Sequence, residues 1–309
     1  MRITNNMMIM NMMNNMHSNL GRLDKVQQQM SSQKKFRLPS DDPIGVSKSL
    51  KYNTDLSKIE QYKRNVNDAV SWLEITESSV AELVDIFQRV REITVEGATD
   101  SYGPEDLEKI SAEVKQIREQ IIKVANTKYA NRSIFSGYKT DKDVLDEDGN
   151  YNVNLSITEK SAYNVGPADS ILINTVGNEL FGRVADSGYT DNDAVAGEKC
   201  QMLEVIDNLI QGLDNDDNAL IDNSIAAIDD TMKNLLSIGA GIGAKTNRLD
   251  LNMNRLEEQK LSVTKLLSNN EDVDMSEVIM NLKMMENVYN ASLSAGARVI
   301  QPSLIDFLG

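Results

Sequence analysis

Cysteine and histidine occur once each in the 309-residue chain. With Cys200 alone no intrachain disulfide can form, and a four-thiolate zinc site is excluded. With His17 alone, histidine triads, the HExxH zinc helix and His-rich metal sites all lack their residues. Five prolines, five phenylalanines and one tryptophan cannot furnish a large aromatic-rich core. Basic residues are also short, with 32 Lys plus Arg against 47 Asp plus Glu and a formal charge of −15. That balance argues against binding nucleic acid or docking on an anionic membrane. No apolar run approaches the ~20 residues of a membrane span. Asn5, Asn6, Asn11, Asn14 and Asn15 interrupt the apolar stretch that a signal peptide needs, so Sec-type exit is not expected. A single cysteine suits either a reducing compartment or a secreted protein without disulfides.

What the chain has is helical periodicity. Ile9, Met13, Met16, Leu20, Leu23, Gln27 and Met30 alternate four and three residues apart, which predicts a helix buried along one narrow face. A second stripe runs Val66, Ala69, Leu73, Thr76, Val80, Leu83, Phe87, Val90. A third runs Leu107, Ile110, Val114, Ile117, Ile121, Val124, opened by Gly103-Pro104. A helix over 43–98 would measure ~80 Å at 1.5 Å per residue, too long for a compact globule. Between about 140 and 189 the period changes to two, at 151–157 and again at 170–176, and a small β module is expected there. Helical spacing returns at Leu203, Ile206, Ile210, Leu213, at Ile221, Ile225, Ile228, Met232, Leu235, and at Leu249, Met253, Leu256, Lys260, Val263, Leu267. After 269–272 the phase shifts by about one residue, and the stripe resumes as Met275, Val278, Leu282, Met285, Tyr289, Ser292, Gly296, Val299.

The expected fold is therefore mainly α, a long antiparallel coiled coil of N- and C-terminal arms with a small β-rich module inserted mid-chain. Three domains are expected: a terminal coiled coil (1–36 plus 269–309), a long-helix rod (37–139 plus 190–268) and a β-rich outer module (140–189). Both terminal seams need a partner, because a helix in water gains most of its stability from packing. Pairing with each other and with copies from neighbouring subunits is the economical solution.

The residues that carry chemistry elsewhere read as structure here. Met1, Met7, Met8, Met10, Met12, Met13 and Met16 are expected to fill a seam, or to give a deformable packing surface. Soft-metal binding is weaker, because no His or Cys stands among them. The run 239–243 has neither the preceding strand nor the spacing of a phosphate loop, and close helix approach or a bend fits better. Aligning Gly149 with the sixth position of a calcium loop puts Val144 and Leu155 at ligand positions, so 146–149 is read as a solvated turn. The run 214–218 is a polar turn capping the next helix. Cys200 reads as a small buried hydrophobe and His17 as a seam-edge polar residue. No cofactor, metal or active site is expected.

At Leu38-Pro39-Ser40-Asp41-Asp42-Pro43, after Met30-Ser31-Ser32 and before a long helix, the chain resembles the N-terminal region of bacterial flagellins and their junction relatives. Ser40 or Asp41 is expected to cap that helix, with Pro43 in its first turn. Glu60-Gln61-Tyr62, the segments 65–73 and 88–95, and Thr76-Glu77-Ser78 extend the likeness, and 271–277 and 303–308 are similar to the family's C-terminal signature. Pro43 after the paired Asp, Trp72-Leu73, the segment 135–140 and the Leu-Ile-Asp-Phe-Leu ending favour the hook–filament junction branch over the filament subunit. Gln33 stands where the family usually has glycine, which removes the residue best suited to a tight turn and lets the first helix run on.

The resemblance implies an extracellular structural subunit of the flagellum. It would leave the cell unfolded through the flagellar type III export apparatus with an export chaperone, and form a ring between hook-associated protein 1 and flagellin. Leu20, Leu23, Leu282 and Met285 would carry terminal pairing; Ser40, Asp41, Asp42, Pro43, Leu304 and Phe307 would serve subunit contacts. A small flagellin, or in another class a cytosolic coiled-coil scaffold, are the competing readings.

Overall fold

The computed structural model describes residues 5–98, 103–182 and 193–299, which divide into two compact units. One is drawn from residues up to Lys58 and from Glu258 onward; the other is Ile59–Glu257. Two helices contribute to both: α2 (Pro43–Gly97, 55 residues) and α6 (Asn218–Glu271, 54 residues). The first unit adds α1 (Asn5–Ser32) and α7 (Met275–Val299).

In the second unit, all eight residues of the stripe from Val66 to Val90 are buried. Ion pairs run from α2 to α6 (Lys63–Glu257, Arg91–Asp229) and to α3 (Pro104–Ala125; Arg89–Glu113), and Ile228, Leu235, Ile242 and Leu249 of α6 and Leu107, Val114, Ile117, Ile121 and Val124 of α3 are buried. Pro104 opens α3 after Gly103, at the expected start. Helix α5 (Gln201–Asn215) packs on α3, and Asp216 ends it in a left-handed conformation (φ 55°). Asp217 then accepts from the amides of Ala219 (3.0 Å) and Leu220 (3.3 Å), capping α6 as the polar run 214–218 leads one to expect. The glycine-rich run 239–243 is uninterrupted α6: a Cβ at Gly239 would touch Val80 of α2, while Gly241 and Gly243 face open space.

The β module is real but differently composed. Strands β1 (Lys128–Tyr129) and β2 (Arg132–Ser133) pair across Ala130 and Asn131, both with positive φ. β3 (Ala162–Gly166) pairs antiparallel with β4 (Asp169–Leu172). The segment 151–157 makes only isolated bridges, yet Tyr151, Val153 and Leu155 are buried at the expected period of two. A short helix α4 (Gly177–Phe181) closes the module, with Phe181 edge-on to Phe135 at 5.5 Å. The acidic turn 146–149 is tied down by Arg118, which donates to the carbonyls of Glu147 and Asp148 and pairs with Asp207 at 2.7 Å. Cys200 is fully buried with its thiol pushed up to about 12 by desolvation, an inert small hydrophobe.

Candidate subunit interface

The terminal unit is built on two helices that each end at a break. α1 stops at Ser32, and Gln33 takes a left-handed φ of 57°. The turn that glycine would favour thus forms with glutamine, and the first helix does not run on. α6 stops at Glu271, and Asp274 restarts the chain by accepting from the amides of Ser276 (2.8 Å) and Glu277 (3.4 Å). The shift of phase at 269–272 is therefore a true interruption of the helix.

The two breaks lie side by side. The Lys35 amide donates to the Glu271 carbonyl at 2.6 Å and the Val273 amide to the Gln33 carbonyl at 3.2 Å, with Lys34 bridged antiparallel to Asp272. Lys34 Nζ holds both Glu271 (2.7 Å) and Asp272 (2.9 Å). The hydrogen bond to Glu271, then that to Asp272, raises the Lys34 pKa; bonds from Ser268 and Lys34 lower that of Asp272. Asn270 donates to the Gly45 carbonyl (2.8 Å) and to Ser49 Oγ (2.7 Å), fixing the start of α2 against the end of α6.

From this clasp α1 and α7 run antiparallel. Asn19 Nδ2 donates to Ser292 Oγ at 3.1 Å, and Met12 lies on Gly296. Of the α7 stripe, Met275, Leu282, Met285, Tyr289 and Ser292 are half-buried and Val278 and Gly296 are buried, as the periodicity predicts. On α1 the seam is Ile9, Met12, Met16, Asn19, Leu23 and Val26. The expected alternates fall one residue off: Met13 is 51 % exposed and Leu20 46 %, and Gln27 and Met30 are exposed too. A polar residue, Asn19, holds the position that an apolar template gives to Leu20. Leu23, Leu282 and Met285 are thus brought together along the seam, and Leu20 borders it. Met13, Leu20 and Met30 on α1 and Met280, Met284 and Val288 on α7 are exposed. Met13, Met16, His17, Leu20 and Tyr289 line a recess of about 170 Å³.

In the connecting loop, Asp42 and not Ser40 or Asp41 caps α2, accepting from the amides of Ile44 (3.1 Å) and Gly45 (3.0 Å), with Pro43 as first helical residue. Asp41 instead closes the turn before it, accepting from Leu38 (3.1 Å) and Arg37 (3.4 Å), and these bonds hold its carboxyl below the usual range. Ser40, Asp41, Asp42 and Pro43 are all exposed. Leu304 and Phe307 lie outside the described residues. Among the described residues no three His, Cys, Asp or Glu are grouped to hold a metal, and no helix is long and apolar enough to cross a membrane.

The terminal arms are thus two antiparallel helices sharing one partly buried apolar seam. The family models agree: residues 3–140 match the bacterial flagellin N-terminal helical region and 225–308 the bacterial flagellin C-terminal helical region. The chain belongs to the bacterial flagellin family, whose members are structural and not enzymatic. Within it, the chain is 25 % identical to flagellar hook-associated protein 3 of Escherichia coli (strain K12), over 96 % of each chain. It is 25 % identical to flagellin of Bacillus subtilis (strain 168), over 97 % of this chain and 95 % of that one. Among solved structures, a flagellar hook-associated protein from Vibrio parahaemolyticus is 27 % identical with a TM-score of 0.64, covering 75 % of this chain and 100 % of that one. Hook-associated protein 3 from Legionella pneumophila, 16 % identical, shares the fold with a TM-score of 0.61 over 71 % of this chain and 97 % of that one.

Proposed function

We propose that this chain is the hook–filament junction subunit of a bacterial flagellum, a ring-forming adapter between hook-associated protein 1 and flagellin. The observation that carries the assembly role is the α1–α7 pair, whose seam is largely half-buried and which leaves Met13, Leu20, Met30, Met280, Met284 and Val288 exposed in the single chain. Apolar side chains left in water favour association, at roughly 25 cal/mol for each Å² withdrawn from it. End-to-end likeness to two proteins named flagellar hook-associated protein 3, and to a solved hook-associated protein at 27 % identity with a TM-score of 0.64, supports the junction reading.

In this reading the terminal coiled coil (1–36 plus 269–309) lines the inner tube, the long-helix rod (37–139 plus 190–268) forms the next layer, and the β-rich module (140–189) faces solvent. The exposed loop at Ser40, Asp41, Asp42 and Pro43, with Leu304 and Phe307, contacts neighbouring subunits. The subunit travels to the flagellar tip unfolded, through the flagellum's own type III export apparatus with a chaperone, and acts outside the cell.

Deleting the gene tests this. Cells should carry intact hooks without filaments and lose flagellin to the medium; filaments of normal length would refute the junction role. Likeness to a flagellin over 97 % of the chain favours, as a second reading, a filament subunit. Electron microscopy of the pure protein separates the two, since a filament subunit grows long filaments alone and a junction subunit does not.

A further inference from the structure

We propose that Lys245 is a covalent modification site for small aldehydes, which its amine takes up as a Schiff base. The site lies wholly within the unit Ile59–Glu257, and the inference goes beyond the junction reading without resting on it.

One face of α6 carries the β module. Asn234 Nδ2 donates to the Glu179 carbonyl at 3.2 Å, and Arg248 pairs with Asp169. Asn252 Nδ2 donates to the same carboxylate at 3.1 Å, and Arg255 stands 3.7 Å from it. Positions 234, 241, 245, 248, 252 and 255 recur at helical spacing, so Lys245 belongs to that face. Every other polar side chain in that row has a partner on the module. Lys245 is half-buried and, among the described residues, makes neither a hydrogen bond nor an ion pair.

The charged groups that bear on it come from the module. Lys160 repels it and Glu179 attracts it, but those two are already paired with each other at 3.1 Å. On its own helix Arg248, three residues on, is engaged by Asp169. Burial first, then Lys160, holds the Lys245 pKa below its ordinary value. A lysine desolvated beside another cation is the arrangement that keeps an amine neutral enough to attack a carbonyl. One flank is open: Gly241, a turn earlier, is exposed, and a Cβ there would meet nothing within 4 Å.

The amine lone pair attacks the aldehyde carbon, a C–N bond forms, and the carbonyl π pair becomes a hydroxyl by taking a proton. Both amine hydrogens then leave with that oxygen as water, and a C=N bond remains. Neither partner is oxidised. The imine is uncharged, which suits a half-buried position and ends the repulsion from Lys160.

The test treats the full chain with limiting propanal and sodium cyanoborohydride, which fixes the imine as a secondary amine. Peptide mass spectrometry then gives the labelling rate at each lysine between about pH 6 and 11. Lys109 and Lys233 are the references: their side chains are 75 % and 76 % exposed, and hydrogen bonds to Asp106 and Asp230 raise their pKa. At neutral pH Lys245 should be labelled at least about threefold faster than either, and the lead should vanish in urea. Faster labelling of Lys109 and Lys233, or a lead that survives in urea, would overturn the proposal. Lys160→Gln should slow Lys245 and move its pH midpoint up, whereas Glu179→Gln should speed it and move the midpoint down. Disruption of the module would move both variants in one direction, so shifts of the same sign would also overturn it.

Discussion

Gln33 sits in the left-handed region, where a β-carbon crowds the following carbonyl at a cost of roughly 1–2 kcal/mol. The clasp imposes that conformation, because the Gln33 carbonyl must reach the Val273 amide. Gln33→Gly should therefore raise stability by about 0.5–1 kcal/mol, after the entropy that glycine adds to the unfolded chain is subtracted. Urea unfolding would check it, and an unchanged or lower midpoint would show that the turn carries no strain. Asp42→Ala should do the opposite, costing about 1 kcal/mol through loss of the cap, while Ser40→Ala should leave the midpoint unchanged. This is the scale at which the sequence was least decisive. Ser40, Asp41 and Asp42 are all good caps, and the turn that Asp41 closes on Leu38 is what leaves Asp42 at the helix start. Likewise Met12 and Met13, or Asn19 and Leu20, cannot be ranked by hydrophobicity when each pair straddles a seam whose partner lies hundreds of residues away.

Elements were far more legible. The Val66-to-Val90 stripe is buried on one face because one helix met by partners along its length must repeat every three and four residues. The α7 stripe held for the same reason, whereas 151–157 kept its alternation of burial without forming a strand, since loops and not a ladder partner lie beside it. The clasp between α1 and α7 makes an element-scale prediction about pH. Asp272 has a lowered pKa, so its contribution is complete above the ordinary value of about 3.8 and is lost as pH falls through the lower folded-state value. Lys34 has a raised pKa, so its contribution is complete below its ordinary value of about 10.5 and is lost as pH rises through the higher folded-state value. Between those limits the clasp is constant. Wild type should exceed Lys34→Gln by up to about 1 kcal/mol on that plateau, both partners being partly exposed. The gap should narrow as acid protonates Asp272; a difference that persisted unchanged to pH 2 would remove that ion pair from the account. Leu20 and Leu23 divide the interface in the same way. Leu23→Lys or Leu282→Lys places a charge in the seam and should reduce helix content and filament restoration together. Leu20→Lys adds its charge at a surface already 46 % exposed, so single-chain stability should hold within about 0.5 kcal/mol while restoration fails. Restoration by Leu20→Lys would mean that Leu20 is not at a subunit contact.

At the scale of the whole molecule the charge is segregated. Residues Ile59–Glu257 carry 36 Asp plus Glu against 19 Lys plus Arg, a net of −17, while the remaining residues carry 11 against 13, a net of +2. The overall −15 belongs entirely to the middle of the chain. Copies brought together through their terminal arms meet little electrostatic resistance from those arms, but each brings a strongly acidic unit into the same assembly. That repulsion acts between separate copies and through water, so salt screens it: the Debye length shrinks from about 30 Å at 0.01 M to about 3 Å at 1 M. Self-association of the purified protein should accordingly strengthen as sodium chloride is raised from about 0.01 to 1 M, measured as the weight-average mass in sedimentation. Association through ion pairs would weaken over the same range, and the apolar seam is insensitive to screening, so the direction of the change identifies the opposing force. Converting exposed Glu74, Glu77 and Asp85 to Gln, Gln and Asn should flatten the salt dependence without shifting the high-salt limit. A salt response unchanged by those substitutions would place the repulsion elsewhere, and one of opposite sign would show that charge on the middle unit draws neighbouring copies together.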